Sequence, residues 1–235
     1  MPIKTDYVLR AFKTLGMTSI MVFALSACSE TSWKEEVLLH DGQKIIVERS
    51  QSYKGQNEVG KPTPVGEHSI RFSVPGSSKS ISWTSEYGED LGRTNFELIA
   101  LHVRNDTPYV IATPNLCLAY NKWGRPNPPY VTFKYDGVAW VRIPLSELPA
   151  EFKEVNLVVN NQGEKDTLAK TTLVTATNVK EMNGKLGQPE IKTILREPLS
   201  KERIAEMCGT VVLYKGHWIT PNSPTARAIV DAQQK

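Results

Sequence analysis

Pairs of alternating apolar and polar segments, each joined by a short turn sequence, constrain the fold of this 235-residue chain most strongly. In the first pair, Val37 and Leu39 alternate with polar residues before Asp41-Gly42, and Ile45 and Val47 alternate after it. A two-residue period is that of a half-buried strand, and Asp-Gly between two such segments is a strong hairpin signal. The sequence therefore predicts a β-hairpin at this point.

The same pattern recurs three times before residue 145. The further predicted hairpins comprise residues 68–87 around Gly76-Ser77-Ser78-Lys79, residues 96–114 around Asn105-Asp106-Thr107-Pro108, and residues 130–145 around Asp136-Gly137. Successive hairpins favour a mainly β fold, either an antiparallel sandwich or an open barrel.

After residue 145 the pattern becomes mixed, and a few short helices are expected in the C-terminal third. The predicted elements are a helical turn at 146–152, a short strand followed by a polar loop at 156–167, helices at 177–187 and 199–209, a strand pair around Lys215-Gly216, and a helical tail from residue 223. Ser200 is the expected cap of the second helix, and Gly209 its stop.

The N-terminal segment has the layout of an export signal. Lys4, Arg10 and Lys13 precede the uncharged residues 15–25. As a helix this run rises only about 16 Å, whereas a bilayer core needs about 20 residues to be crossed. The run therefore indicates a signal-peptide core and not a membrane span.

The residues that follow, Leu25-Ser26-Ala27-Cys28, resemble the lipobox of bacterial lipoprotein precursors. In that family the chain is cut before the cysteine, whose thiol carries diacylglycerol and whose new amine is acylated. The resemblance implies lipidation at Cys28, and Ser29 at the next position implies outer-membrane sorting, with the body facing the periplasm.

The resemblance also sets the expected domain limits. Residues 1–27 would be removed, residues 28–32 would form a short lipidated tether, and residues 33–235 would form one β-rich domain with its β core at 33–145 and a mixed portion at 146–235. The opening of that body, WKEEVLLHDGQKIIVERS, resembles uncharacterised bacterial envelope proteins, a similarity that carries no activity.

The charge balance gives no indication of a polyanionic partner. The chain has 28 Lys and Arg against 25 Asp and Glu, and the segment before Cys28 holds more of the cations than of the anions. The remainder is nearly neutral, so nucleic acid is not an expected partner.

Two cysteines remain once Cys28 is lipidated. Cys117 and Cys208 would meet the oxidising compartment outside the cytoplasm, where disulfides persist. We predict that they pair and close a loop of about 90 residues, which typically adds 2–4 kcal/mol of stability. Two separate buried thiols are the alternative.

No motif with a catalytic or metal-binding pattern stands out. Gly55, Gly60 and Lys61 imitate a phosphate-binding loop, but Pro62 occupies the position of the required hydroxyl, and a flexible loop is the better interpretation. The carboxylates of residues 86–90 fit no known calcium loop. The histidines, at positions 40, 68, 102 and 217, show no ligand spacing. We therefore expect no catalytic residue, no cofactor and no metal site.

The most distinctive segment is CLAYNKWGRPNPPYVTFKY, residues 117–135. Prolines lower the ordering cost of a loop, and aromatic side chains supply contact area. The segment therefore suggests a recognition surface in which Trp123, Arg125 and Tyr130 are partly exposed. The alternative is a buried corner in which the aromatic rings pack on the prolines.

These observations lead to a function hypothesis without an enzymatic signature. The chain is expected to be a lipid-anchored envelope lipoprotein with a binding or structural role, whose partners are the membrane, through the anchor, and an envelope protein or a glycan. A periplasmic hydrolase with a dispersed site and an immunity-type inhibitor of an imported toxin are the alternatives. A deep polar cleft with His, Asp and Ser or Cys together would favour the hydrolase.

Overall fold

The computed structural model describes residues 30–55, 60–159 and 164–233 and has the predicted mainly β, antiparallel architecture. Cys28 and the rest of the predicted export signal lie outside the described residues. Two four-stranded sheets account for most of the β structure. The strands of the first sheet are β1 (Glu30–Leu38), β2 (Lys44–Tyr53), β3 (Val65–Ser73) and β4 (Ser80–Ser85).

The chain passes from the first sheet to the second through a small ribbon. The ribbon strands are β5 (Tyr87–Gly88) and β6 (Arg93–Thr94). The strands of the second sheet are β7 (Phe96–Arg104), β8 (Thr107–Pro114), β9 (Val131–Tyr135) and β10 (Trp140–Ile143). A final hairpin pairs β11 (Val212–Tyr214) with β12 (His217–Ile219).

Short helices occupy the connections and the C-terminal third. They are α1 (Leu116–Lys122), α2 (Lys165–Lys170), α3 (Ala176–Gly184), α4 (Lys201–Met207) and α5 (Pro224–Gln233), with single 3-10 turns at Leu145–Glu147 and Pro189–Ile191. Among the described residues, no helix is long and apolar enough to cross a membrane.

All four long predicted hairpins and the final strand pair are confirmed. Their turns contain the positive-φ residues that tight hairpin turns require, such as Gly42 at +86° and the pair Asn105 and Asp106 at +48° and +58°. Consecutive left-handed residues match the right-handed twist of the strands they join, and Asn and Asp tolerate that conformation better than most residues.

The helix predictions are partly confirmed. Helical structure lies where it was expected in the 3-10 turn at Leu145–Glu147 and in α3, α4 and α5. The Ser200 side chain caps α4 by accepting a hydrogen bond from the Arg203 backbone N–H. Two helices were missed. Helix α1 occupies the start of the segment that was interpreted as a proline-stiffened loop, because its prolines begin only at Pro126, and α2 replaces part of the loop expected at 156–167.

The two sheets pack face to face as a sandwich. Each strand of the first sheet alternates buried and exposed residues, and its buried side chains share one apolar cluster with inward-facing residues of the second sheet. Cluster members from the first sheet include Val37, Val47, Ile70 and Trp83, and those from the second include Phe96, Leu101 and Val110.

Strands β7 and β8 of the second sheet are buried on both faces. The other face of that sheet carries Ile99, Tyr109 and Ile111, which pack against Phe152 and Ile194 from the chain after residue 145. A sheet covered on both sides has near-continuous apolar strands, as FELIALHV in β7 shows. The first sheet therefore has the polar outer face, and the second forms the middle layer.

Residues 156–159 close one side of the sandwich without forming the strand that was predicted there. The Asn156 side chain bonds the backbone N–H and C=O of Leu101 in β7 and the C=O of Leu38 in β1. The Leu157 N–H donates to the C=O of Ile99 at 3.2 Å. Because side chains and single backbone groups provide these bonds, residues 156–159 do not need to pair with a neighbouring strand.

A charged pair lies between the sheets beside this closure. Glu35 and Arg49 are fully buried and 3.2 Å apart, and Glu35 also accepts a hydrogen bond of 2.6 Å from the indole N–H of Trp33. Leaving either charge without its partner in the interior would be costly. The pair therefore fixes the register of β1 against β2 at this point.

Two histidines are also buried. Burial, with a smaller contribution from Arg49, lowers the pKa of His68 to about 3, although Glu97 lies 3.8 Å from its Nε2. That distance is too long for a hydrogen bond, so desolvation prevails over the carboxylate. Burial likewise lowers the pKa of His102 to about 4, against the hydrogen bond that it makes with the C=O of Glu154.

These shifts predict a loss of stability in mild acid. Below the ordinary histidine pKa of 6.5, the unfolded chain binds protons that the folded chain excludes, so the free energy of unfolding falls as the pH drops. Between pH 6.5 and 5, before most carboxylates titrate, each buried histidine should remove about 2 kcal/mol.

Denaturant unfolding of the wild type, His68→Gln and His102→Gln at pH 7 and pH 5 measures this effect. Each variant should show a smaller pH-dependent loss than the wild type, whatever its absolute stability. The matched control is His217→Gln at an exposed position, which should keep the wild-type loss. Equal losses in all four proteins would contradict the prediction.

Candidate functional site

The two cysteines predicted to pair are neighbours in the structure. The sulfur atoms of Cys117 and Cys208 lie at bonding distance, and their Cα atoms are 5.2 Å apart. Cys117 belongs to α1 and Cys208 follows α4, so the pair ties the C-terminal segment to the connection between β8 and β9.

Arg125 holds the same junction together. Its guanidinium donates to the C=O of Cys208 at 2.9 Å and to the C=O of Gly209 at 3.1 Å, and it also bonds the side chain of Asn121 at 3.0 Å. The residue was expected to present its charge to a partner. The side chain is partly exposed, as predicted, but the structure directs its donors to backbone and side-chain oxygens of this chain.

The prediction of partial exposure is wrong for Tyr130. Its ring is buried in the cluster between the second sheet and the C-terminal part, and its hydroxyl donates to the C=O of Glu190 at 2.8 Å. Burial raises the pKa of this phenol to about 12. Tyr130 directly precedes β9, where the middle layer is covered on both faces, so its side chain packs inward.

Trp123 takes an intermediate position. Its ring packs on Phe96 with centroids 4.4 Å apart, and its indole N–H donates to the Asn95 side chain at 3.1 Å. The ring is partly exposed, as predicted, but it borders the core between the sheets. Trp123, Arg125 and Tyr130 thus do not converge on one surface.

The prolines do line a surface groove of about 410 Å³. Pro126 and Pro128 form one side, and Arg142, Ile143 and Leu145 form the other, at the free edge of β10. Of the described residues that line it, Arg142 is the cationic one.

In the described part of the chain, the other sequence motifs form no chemical site. Residues 56–59 of the phosphate-loop imitation lie outside the described residues. Among the carboxylates of residues 86–90, Glu89 forms an ion pair with Lys54 at 3.1 Å, and Asp90 forms one with Lys122 at 2.6 Å. The described ranges contain no group of three residues that could hold a metal ion. The His102 ring stacks on Phe152, with centroids 4.6 Å apart, in the protein interior.

A second and larger groove, of about 700 Å³, lies on the outer face of the first sheet. It crosses all four strands and is bordered beyond β1 by Thr171 and Thr172. Val174 lies next to this border and exchanges two backbone hydrogen bonds with Lys34 and Glu36, at 2.9 and 2.8 Å. The border is therefore held in place by strand-like pairing.

The floor of this groove has two parallel rows of polar side chains. Strand register aligns the hydroxyl row, which consists of Ser32, Ser50, Ser69 and Thr84. It likewise aligns the charged row, which consists of Lys34, Glu48 and Arg71. Neighbouring members of a row are about 4.8 Å apart in backbone position, and the rows are about 7 Å apart along the strands.

The charged row makes no close side-chain contact of its own among the described residues. Lys34, Glu48 and Arg71 make no side-chain hydrogen bond or close ion pair with any residue that the structure describes. In the hydroxyl row, Ser69 and Thr84 bond each other at 3.0 Å. The outer face therefore offers donors, acceptors and both signs of charge to a ligand.

This face was not predicted, although the sequence contains a signal for it. The strands HSIRFS and SISWTS alternate small hydroxyl residues with large apolar ones. The alternation shows that the hydroxyls share a face within each strand. Their alignment into a row follows only from the register between strands. No protein-family model, curated protein or solved structure matches this chain.

The cysteine pair yields a direct prediction. Alkylation of the protein isolated from its native cells without reductant should leave Cys117 and Cys208 unmodified. Cys117→Ala and Cys208→Ala should each lower the free energy of unfolding by about 2–4 kcal/mol, and by similar amounts, because each removes the same cross-link. Reactive thiols at both positions in that protein would refute the pairing.

Trp123→Ala should lower the free energy of unfolding by about 2 kcal/mol, below the 3–5 kcal/mol of a fully buried aromatic residue, because the ring is partly exposed. The matched variant Trp123→Phe keeps the apolar contact with Phe96 and loses the hydrogen bond, so its expected loss is about 1 kcal/mol. An unchanged melting temperature for Trp123→Ala would show that the ring is a surface group.

Proposed function

We propose that the protein is a lipid-anchored, periplasm-facing envelope lipoprotein with a binding role, and that it binds a polar envelope component in the groove of the first sheet. The location rests on the sequence before Cys28. The role rests on one observation, the aligned and unpartnered charged row beside the hydroxyl row.

The position of β1 supports a link between anchor and groove. β1 begins at Glu30, three residues before the expected start of the folded body and only two after Cys28. Two extended residues span at most about 7 Å. Because Glu30 and Ser32 also line the groove, an anchored protein would hold one end of the groove close to the lipid headgroups.

Lipid attachment is tested first, with a fatty-acid probe in growing cells. The wild type should be labelled and recovered with the outer membrane, whereas Cys28→Ala should carry no label, because no other side chain takes the thioether. Equal labelling of the two proteins would contradict the proposed anchor.

The binding role is tested by cross-linking in intact cells. Ser50→Tyr would fill the middle of the groove, and the wild type should form adducts that this variant loses. The control is Val138→Tyr, at the tip of the β9–β10 hairpin, where the side chain is 87% exposed; it should keep the adducts. Adducts that persist in Ser50→Tyr and disappear in Val138→Tyr would place binding elsewhere.

A further inference from the structure

We infer that the groove of the first sheet binds a peptide-substituted glycan of the cell-wall type, with sugar units along the hydroxyl row and amino-acid substituents on the charged row. The inference rests on the proposed function, since a periplasm-facing protein would meet such a polymer. It names the ligand class for the groove.

The hydroxyl row matches the chemistry of a sugar chain. A Ser or Thr hydroxyl both donates and accepts hydrogen bonds, so Ser32, Ser50 and Ser69 can pair with sugar hydroxyl and acetamido groups in either sense. Four adjacent strands extend this row over about 14 Å. An extended polymer uses that length, whereas a single small headgroup would occupy only part of it.

The charged row selects against a ligand of one sign. A polyanion would gain from Lys34 and Arg71 but would be repelled by Glu48 between them, and a polycation would meet the opposite arrangement. A zwitterionic amino-acid group can pair with two neighbouring residues of the row at once. Its carboxylate would bind Arg71, where two parallel bonds are available, and its ammonium would bind Glu48. These side chains start from directly opposed residues of β2 and β3.

The geometry of the face allows both contacts together. Each charged residue lies two positions along its strand from a hydroxyl residue, as Lys34 does from Ser32 and Arg71 from Ser69, and therefore on the same face. The groove volume of about 700 Å³ lies within the range of ligand sites, roughly 300–1,000 Å³. A glycan with short peptide branches thus has both of its parts in contact with matching groups.

Co-sedimentation with purified cell-wall sacculi tests the inference. The full lipidated protein in detergent micelles should sediment with intact sacculi, and the triple variant Lys34→Gln, Glu48→Gln, Arg71→Gln should bind at least about 10-fold less, which corresponds to about 1.4 kcal/mol. Its melting temperature should stay close to that of the wild type, because the replaced side chains are exposed and unpaired.

A matched control and two further probes sharpen the test. Arg142→Gln removes a cation from the proline-lined groove and should bind sacculi as the wild type does. Sacculi stripped of their peptides should bind the wild type about as weakly as intact sacculi bind the triple variant. Soluble glycerophosphoethanolamine is a zwitterionic lipid headgroup. It should not displace intact sacculi from the protein when its molar concentration equals that of the zwitterionic amino-acid groups on the sacculi.

Three results would overturn the inference: no sedimentation of the wild type, equal binding of the triple variant, or displacement by glycerophosphoethanolamine, which would make the groove a lipid-headgroup site. Different results would contradict the proposed function. A protein without lipid at Cys28, or one whose cellular adducts do not depend on Ser50, contradicts the proposed function itself. A labelled protein with Ser50-dependent adducts that ignores sacculi contradicts only the ligand class.

Discussion

The Asn156 side chain makes the contact on which the arrangement of layers depends. It satisfies the backbone N–H and C=O of Leu101 in the second sheet and the C=O of Leu38 in the first. A buried backbone group without a partner costs about 1–3 kcal/mol. The Asn156 amide provides hydrogen-bond partners for three such groups at the place where the edge strands β1 and β7 meet. It also sets the point from which the chain continues over the second sheet.

That closure determines which surface remains for a ligand. Once the chain after residue 145 covers the second sheet, the apolar strands of that sheet are buried on both faces. The first sheet then presents the large polar face of the sandwich. Its inner side chains, including the buried pair Glu35 and Arg49, belong to the interior, and its outer side chains remain available for binding.

The local elements of the fold could be predicted from the sequence. Turn pairs such as Asp41-Gly42 and Asn105-Asp106, together with two-residue alternation, located the hairpins because both signals come from neighbouring residues. The proximity of Cys117 and Cys208 was also predicted, since lipidation at Cys28 would leave one possible pair.

Apart from this pair, features that depend on distant contacts were not predicted. Residues 156–159 resemble a strand in composition, but their polar groups are satisfied by side chains and by single backbone groups of β7, which no local pattern shows. Tyr130 and Arg125 stand in a segment rich in prolines, yet their partners Glu190 and Cys208 lie far along the chain. The groove of the first sheet required the register of four strands.

Carboxyl footprinting by mass spectrometry tests most directly whether the first sheet carries the ligand. The protein purified from cells in detergent would be treated with a carboxyl-modifying reagent in the presence and absence of sacculi. We expect protection of Glu48, in the charged row, with no change at Asp136, in the β9–β10 turn. Protection at Asp136 with Glu48 equally reactive in both samples would show that the first sheet does not carry the ligand.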